Sequence, residues 1–198
     1  MDLYLNDLLA RMRSTDITLS WPAHREAEQL DDALLFDELE AIIAAGTDRH
    51  ERSAAYFAYG ALLKHQLQPE RLDRYMGYLA AETDSSLAGT ILLRIAAMKL
   101  PADTPPDALL HRLSGENSHL RRNAILSLGS IACDACRNAL RSILDAEDEG
   151  DTVCALSALS RIGASEDIIR LRPLTESPVR RIRESAILAI DDIAKANP

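Results

Sequence analysis

The chain repeats one pattern of apolar residues at a nearly constant interval, and this limits what it can fold into. Three stretches that begin at Leu120, Asp151 and Ile182 superpose without a gap at an offset of 31 residues. Two weaker copies begin at Glu51 and Leu87. Self-similarity with a period of about 20–50 residues is typical of stacked supersecondary units, each of which cannot bury its apolar face alone.

Each copy predicts one amphipathic helix, because its apolar positions follow the spacing i, i+4, i+8 and i+11. Between the copies lie other amphipathic segments that end at or near a glycine or proline. The sequence therefore predicts a helix–turn–helix unit repeated five times. The predicted first helices of the units are Ala33–Ala45, Pro69–Ala81, Pro105–Leu113, Asp134–Ala146 and Ser165–Pro173.

Capping residues support the start of each second helix. A side chain that can accept a hydrogen bond from the first helical turn stands three residues before four of the copies. The fifth copy has Val179 there, directly after Ser177-Pro178, which is a different helix start. The four capping residues are Asp48, Asp84, Asn117 and Asp148.

Composition agrees with an all-helical chain. Of the 198 residues, 30 are Ala and 31 are Leu, whereas two are Val and eight are aromatic. Ala and Leu favour helices, and β-branched and aromatic residues favour sheets. This excludes sandwiches, barrels and parallel-sheet folds.

The third and fifth copies resemble the second helix of a short HEAT repeat of the PBS-lyase HEAT-like kind. The matching strings are Leu120-Arg121-x-x-Ala124-x-x-Ser127-Leu128-Gly129-x-Ile131 and Ile182-Arg183-x-x-Ala186-x-x-Ala189-Ile190-x-x-Ile193. The usual Arg matches at Arg52, Arg121 and Arg183 and is replaced by Ala88 and Thr152. The resemblance covers about residues 33–197. It implies a right-handed α-solenoid of about five helix pairs that binds other macromolecules, with no single activity.

The first 32 residues do not follow the repeat, and we interpret them as an N-terminal helical cap (1–32) before the array (33–198). Leu3, Leu5, Leu8, Leu9 and Met12 predict one amphipathic helix. A polar link through Ser20-Trp21-Pro22 and a second, acid-rich helix with Glu26, Glu28, Asp31 and Asp32 are expected to follow. Terminal units of repeat arrays are atypical because they cover an open core. A role in partner contact is the alternative.

A helical wheel places one set of residues on the side of the second helices that faces away from the core. In HEAT-like arrays this side lines the concave surface, and here it is mostly small and apolar, with Gly129 among its members. An exposed apolar row often marks an interface. The alternatives are that the N-terminal helix covers the row, or that the chain self-associates. The predicted partner-binding residues are the anchors Phe57, Leu93, Leu126 and Leu188, with Lys64, Arg122, Glu184 and Asp191 providing polarity.

Motifs for catalysis or cofactor binding are sparse, and we predict no cofactor, no metal and no catalytic residue. Cys133-x-x-Cys136 admits three interpretations: incidental thiols, half of a zinc site with Cys154 or His119, or a redox pair. The five histidines show no metal spacing, and no Gly-rich loop or nucleophile elbow occurs.

The leading functional hypothesis is a non-enzymatic module that binds one protein partner, as an adaptor, an assembly chaperone or an immunity protein that neutralises a toxin. An enzyme resembling bilin lyases or DNA glycosylases is the alternative. The face lacks the basic, aromatic character of a glycosylase, and the tyrosines Tyr56, Tyr59, Tyr75 and Tyr78 are more readily explained by packing. A self-associating structural subunit is a third hypothesis, and we expect a monomer or weak homodimer.

Charge and targeting signals favour a cytoplasmic protein without nucleic-acid or membrane partners. The net charge of −9 disfavours binding to phosphates. No apolar run approaches the roughly 18 residues of a membrane helix, and the start lacks a secretory signal. Three clustered cysteines suggest a reducing compartment rather than a disulfide framework.

Overall fold

The computed structural model describes residues 2–46, 48–146 and 148–197. Its contacts divide the chain into two compact units, residues 1–94 and 95–198. The first unit contains the helices α1 (Leu3–Met12), α2 (Ile17–Ala27), α3 (Leu35–Ala45), α4 (Arg49–His65), α5 (Pro69–Ala81) and most of α6 (Ser85–Ala96). The boundary between an N-terminal cap and the repeat array, placed between residues 32 and 33 from the repeat pattern, stays a prediction.

The second unit continues the alternation of first and second helices. Its helices are α7 (Asp107–Leu110, followed by a 3₁₀ turn at His111–Ser114), α8 (Ser118–Leu128), α9 (Asp134–Leu144), α10 (Glu149–Ile162), α11 (Asp167–Leu171, followed by a 3₁₀ turn at Arg172–Glu176) and α12 (Arg180–Ala196). The helix pairs α3–α4, α5–α6, α7–α8, α9–α10 and α11–α12 confirm the predicted all-α class with five repeats. Over the described ranges the only β-type pairing is an isolated bridge between Leu100 and Ile131.

The N-terminal segment, residues 2–32, differs from the prediction in the position of its second helix. The link between the first two helices lies at residues 13–16, because Asp16 accepts a hydrogen bond from the Thr18 N–H at 2.8 Å and thereby starts α2. Ser20-Trp21-Pro22, predicted as a link, lies inside α2. Of the four acidic residues assigned to the second helix, only Glu26 belongs to it. In α1, Leu5, Leu8, Leu9 and Met12 are buried as predicted, whereas Leu3 is exposed.

The predicted helix caps are confirmed. Asp48 accepts from the His50 N–H, and Asp148 accepts from the Asp151 N–H, both at 2.9 Å. Asp84 and Asn117 each accept two N–H bonds from the helix that follows. Val179 precedes α12 without a side-chain cap, as the different start of the fifth copy predicted.

The capping carboxylates also connect successive second helices. Arg49 of α4 lies 2.9 Å from Asp84, and Arg122 of α8 lies 3.2 Å from Asp148. Two arginines of the HEAT-like pattern also bind carboxylates, one at the end of the first helix α5 and one in the first turn of the second helix α10. Arg52 pairs with the buried Glu82, and Arg121 lies 2.5 Å from Asp151. An acidic residue at the start of one second helix therefore both caps that helix and binds a cation of the preceding one.

Glycine permits close approach of second helices at equivalent positions of the two units. A Cβ on Gly60 would lie 2.6 Å from the Arg94 Cβ, and a Cβ on Gly129 would lie 2.9 Å from the Ala158 Cα. Gly129, predicted to line an open groove, is instead buried against α10. The opposing atom belongs to the backbone, so a larger residue cannot be accommodated by a side-chain rotation.

The described residues contain neither a membrane-spanning helix nor a cluster of metal-binding side chains. None of the helices is long and apolar enough to cross a membrane. No group of three or more His, Cys, Asp or Glu side chains in the same part of the chain is arranged to hold a metal ion.

We predict opposite effects of alanine at two helix-associated glycines. Gly129→Ala should lower the free energy of unfolding by about 1–3 kcal/mol, because the new Cβ overlaps α10. Gly77→Ala, in the exposed part of α5 where nothing lies within 4 Å of the new Cβ, should raise it by about 0.5–1 kcal/mol. Urea unfolding of both variants checks this. Equal stability of the two variants would contradict the tight contact at Gly129.

We also predict acid-sensitive stability from Glu82. Burial opposes its ionisation, but the Asp84 N–H, Arg52 and Tyr56 outweigh burial and hold the pKa of Glu82 below its ordinary value. A lowered folded-state pKa stabilises the fold above the unfolded value, about 4.3, and this contribution is lost as the pH falls through the folded value. Glu82→Gln should therefore cost about 1.5–3 kcal/mol at pH 7 and progressively less below pH 4.

The control for this experiment is Glu70→Gln, a change at an exposed residue of α5. Chemical denaturation of both variants between pH 7 and pH 3 gives the comparison. A cost of Glu82→Gln that does not shrink in acid would show that the carboxylate charge does not stabilise the first unit.

Candidate functional site

The outward side of α8, α10 and α12, which we call the second-helix face, carries the predicted anchors of residues 95–198. Leu126, Ser157 and Leu188 occupy equivalent positions at the 31-residue offset. Leu126 is half-buried and Ser157 is exposed. Leu188 is 63% exposed and its neighbour Ile187 is 50% exposed. The structure thus leaves an accessible apolar patch on α12 and a partly accessible leucine on α8.

The predicted polar residues of this face differ in their exposure and in the ion pairs that they already form. Arg122 lies 3.2 Å from both Asp148 and Asp151, so it joins α8 to the start of α10. The Asp151 N–H and then Arg122 hold the pKa of Asp148 below its usual value. Glu184 lies 3.6 Å from Arg180 of the same helix, and both side chains are exposed. Asp191 is exposed. Glu184 and Asp191 are therefore accessible, whereas Arg122 already has two carboxylate partners.

A cavity of about 430 Å³ opens beside Arg122. Val153 and Val179 provide its apolar surface, and the charged residues around it include both signs. It could receive a side chain of a partner, but its balanced charge does not favour an isolated anion. The lining residues are Arg122, Asp148, Glu149, Gly150, Val153, Val179 and Arg181.

Phe57, the predicted anchor nearest the N-terminus, is already covered in residues 1–94. The ring of His24 from α2 meets it edge-on at 4.9 Å, and the Arg94 guanidinium lies 4.4 Å from its ring centre. The prediction of an open anchor at Phe57 therefore does not fit. Leu93 is 53% exposed, and Lys64 is also exposed.

Arg94 binds the N-terminal segment beside Phe57. Its guanidinium forms a bidentate pair with Glu28, with one Nη2–Oε2 distance of 3.0 Å. This pairing is the largest cause of a lowered pKa at Glu28. Arg94 is only 6% exposed, although the equivalent position is Ala58, Ser127, Ala158 or Ala189 in the other repeats. Sequence reasoning missed this pair, and a long cation at a small-residue position was the available signal.

The tyrosine cluster is largely a packing feature. Tyr59 and Tyr75 stack with ring centres 5.3 Å apart, and Tyr75 donates to the Tyr56 carbonyl at 2.8 Å. Burial is the main cause of the raised pKa of both Tyr59 and Tyr75. A hollow of about 300 Å³ beside the cluster is lined by Arg52, Tyr56, Tyr78, Ala81, Glu82 and Thr83. Within it the Arg52–Glu82 pair is part of the helix connection already described.

The repeated helix pairs, their caps and their arginines agree with a known family. A family profile described as HEAT repeats matches residues 106–191. Residues 106–191 therefore consist of HEAT repeats. The match covers the three strongest copies. The first two helix pairs lie outside it, where the sequence copies of the HEAT pattern are also weaker. A comparison with curated proteins gives no significant match.

Solved structures show the same fold at low sequence identity. A HEAT-like repeats protein from Thermococcus onnurineus NA1 superposes with a TM-score of 0.60 and 16% identity, over 100% of this chain and 83% of the other. An engineered protein gives a TM-score of 0.55 and 19% identity, over 100% and 98%. A designed armadillo repeat protein in complex with the peptide (KR)4 gives 0.56 and 13%, over 96% and 99%. These similarities establish the HEAT-like fold alone.

We predict that Glu28→Gln loosens the N-terminal segment. The buried Arg94 would lose its charged partner while the side-chain shape is retained. Hydrogen exchange of residues 17–32 should become faster. Asp73→Asn, at an exposed position of α5, should leave that exchange unchanged. Unaltered protection of α2 in Glu28→Gln would show that the pair does not hold the segment.

Proposed function

We propose that this protein is a non-enzymatic module that binds a protein partner through its second-helix face. The exposed leucine and isoleucine of α12 carry the proposal. Leu188 and Ile187 are 63% and 50% exposed side by side. Leu126 lies at the position equivalent to Leu188 on α8, and the small Ser157 of α10 occupies that position between them.

Ile187 is unusually exposed for its position in the repeat. The residues at its equivalent position in the preceding repeats are all buried. Adjacent exposed apolar side chains cost free energy in water, and contiguous patches of them mark interaction sites. A partner that covers Ile187 and Leu188 would remove this surface from water. The buried equivalents are Tyr56, Leu92, Ile125 and Leu156.

The polar surroundings suit a specific contact. Glu184 and Asp191 flank Leu188 at roughly one helical turn on either side. Charged residues around an apolar centre give orientation to a protein interface. We propose that Glu184, Asp191 and Arg122 form this rim and that the cavity beside Arg122 receives a partner side chain.

In residues 1–94 the proposed contact contains fewer residues than the apolar row predicted from the sequence. Leu93 and Lys64 remain proposed contacts because both are exposed. Phe57 is not a proposed contact, because His24 and Arg94 already pack against its ring. The segment around α2 is an internal example of such a contact: His24 meets Phe57 of α4, and Glu28 forms an ion pair with Arg94 of α6.

One structural relative supports the binding of a peptide segment of a partner. The designed armadillo repeat protein of similar fold is in complex with a peptide. The proposal includes three roles that share such a contact: adaptor, assembly chaperone and toxin-neutralising immunity protein. The roles differ in what the bound protein does, so its identity decides between them. The three free cysteines support a location in the cytoplasm.

The test is affinity capture from a lysate of the source organism with three forms of the tagged chain. Leu188→Asp places a charge at the centre of the proposed contact. Ile169→Asp is the matched control, because Ile169 is 75% exposed on α11, a first helix. Both changes should leave the melting temperature nearly unaltered, since each side chain is mostly in water.

We expect a stoichiometric protein to bind the unchanged chain and Ile169→Asp and to be lost from Leu188→Asp. Capture that survives Leu188→Asp, or is lost equally from both variants, would contradict the second-helix face as the binding site. If the captured protein is a second copy of the chain, the face is a homodimer interface instead.

A further inference from the structure

Two cysteines lie together in the first turn of α9. Cys133 is the capping residue, in an extended conformation with φ −116° and ψ 161°. Its Sγ accepts a hydrogen bond from the Cys136 N–H at 3.4 Å. The Cys133 sulfur is therefore folded back over the turn, beside the backbone of Cys136.

The spacing of the two residues suits a disulfide. Residues three apart at a helix start have Cα atoms about 5–6 Å apart. Disulfides are formed across Cα separations of about 4.4–6.8 Å. Because the Cys133 sulfur already lies against the Cys136 backbone, rotation about the Cys136 Cα–Cβ bond can bring the second sulfur to it without moving the helix.

The two thiols have different environments. Cys133 is half-exposed at the N-terminal end of an 11-residue helix, where an external disulfide can reach its sulfur. Cys136 is fully buried. Its pKa is raised to about 12, first by burial and second by its hydrogen bond to Cys133. Cys133 is thus placed to attack an external disulfide, and Cys136 is shielded from one.

We propose that Cys133 and Cys136 form a reversible thiol–disulfide site that reacts with low-molecular-weight disulfides such as oxidised glutathione. The Cys133 thiol loses its proton to solvent, and its sulfur attacks one sulfur of the external disulfide, which breaks the external S–S bond and releases one thiolate. The Cys136 sulfur loses its proton to solvent and attacks Cys133 Sγ, which breaks the mixed disulfide and releases the second thiolate. The two cysteines are oxidised by two electrons, and the external disulfide is reduced to two thiols.

This site is independent of the proposed partner contact. Oxidation converts the sulfur that caps α9 into a disulfide sulfur and moves the Cys136 side chain from its buried position. It therefore links the oxidation state of small thiols to the start of one helix of the array. Reduced glutathione in excess would reverse both exchange steps.

The experiment uses the full chain with Cys154→Ser, which removes the one remaining cysteine. The protein is incubated with oxidised glutathione, quenched with acid and measured by intact mass spectrometry. We expect a product lighter by two hydrogen atoms, without a lasting glutathione adduct. A reductant should restore the original mass.

Two further variants assign the steps. With Cys154→Ser and Cys136→Ser together, the resolving thiol is absent and one glutathione should remain on Cys133. With Cys154→Ser and Cys133→Ser together, the buried Cys136 should stay unmodified. Circular dichroism of all three forms confirms that the helices are retained.

Two results would overturn the proposal. One is a lasting glutathione adduct on Cys133 while Cys136 is present, which would show that Cys136 does not resolve the mixed disulfide. The other is an unmodified Cys154→Ser chain under conditions in which a free peptide of residues 130–139 becomes oxidised, which would show that the fold holds the two sulfurs apart.

Discussion

The burial of one apolar stripe on each second helix is the constraint on which the rest of the structure depends. A single helix pair has too little core to bury its own stripe, so each second helix must pack against the next. Within residues 95–198, α10 packs against both α8 and α12. Tight contacts such as Gly129 against Ala158 are possible only because one partner lacks a side chain.

Electrostatic pairs then fix how neighbouring second helices are aligned. A carboxylate at a helix start satisfies free N–H groups and also binds an arginine of the preceding second helix. Asp84 with Arg49 and Asp148 with Arg122 are examples in the two units. Because one residue performs both tasks, loss of the carboxylate would weaken a helix start and a helix–helix contact together. Of the arginines of the HEAT-like pattern, Arg121 binds Asp151 in the first turn of the next second helix, and Arg52 binds Glu82 at the end of the first helix between two second helices.

Residues that the stacking does not require are free to differ between repeats, and the candidate sites are found among them. Leu188 replaces the Ser157 of the preceding repeat. Arg94 stands where the other repeats have Ala or Ser, and it holds the N-terminal segment. Cys133 caps the first helix α9 through its sulfur.

The sequence predicted most of the fold because the decisive signals are local. Helical periodicity located all five second helices, and short polar side chains marked the starts of four of them. The start of α2 was missed because the Asp16 cap acts more strongly than Pro22, which lies within the helix. Covering of the apolar row by the N-terminal helix was an open alternative, and the sequence could not decide it at Phe57 because the covering depends on Arg94 and Glu28, which are 66 residues apart in the chain. The exposure of Leu188 could be anticipated from the helical wheel, but its degree depends on packing that only the structure shows.

The measurement that tests the account most directly is hydrogen exchange of the chain with and without its captured protein partner. Binding at the second-helix face predicts slower exchange in α8 and α12, with α9 and α11 unchanged. Protection concentrated in the first helices, or in the N-terminal segment alone, would contradict the proposed site.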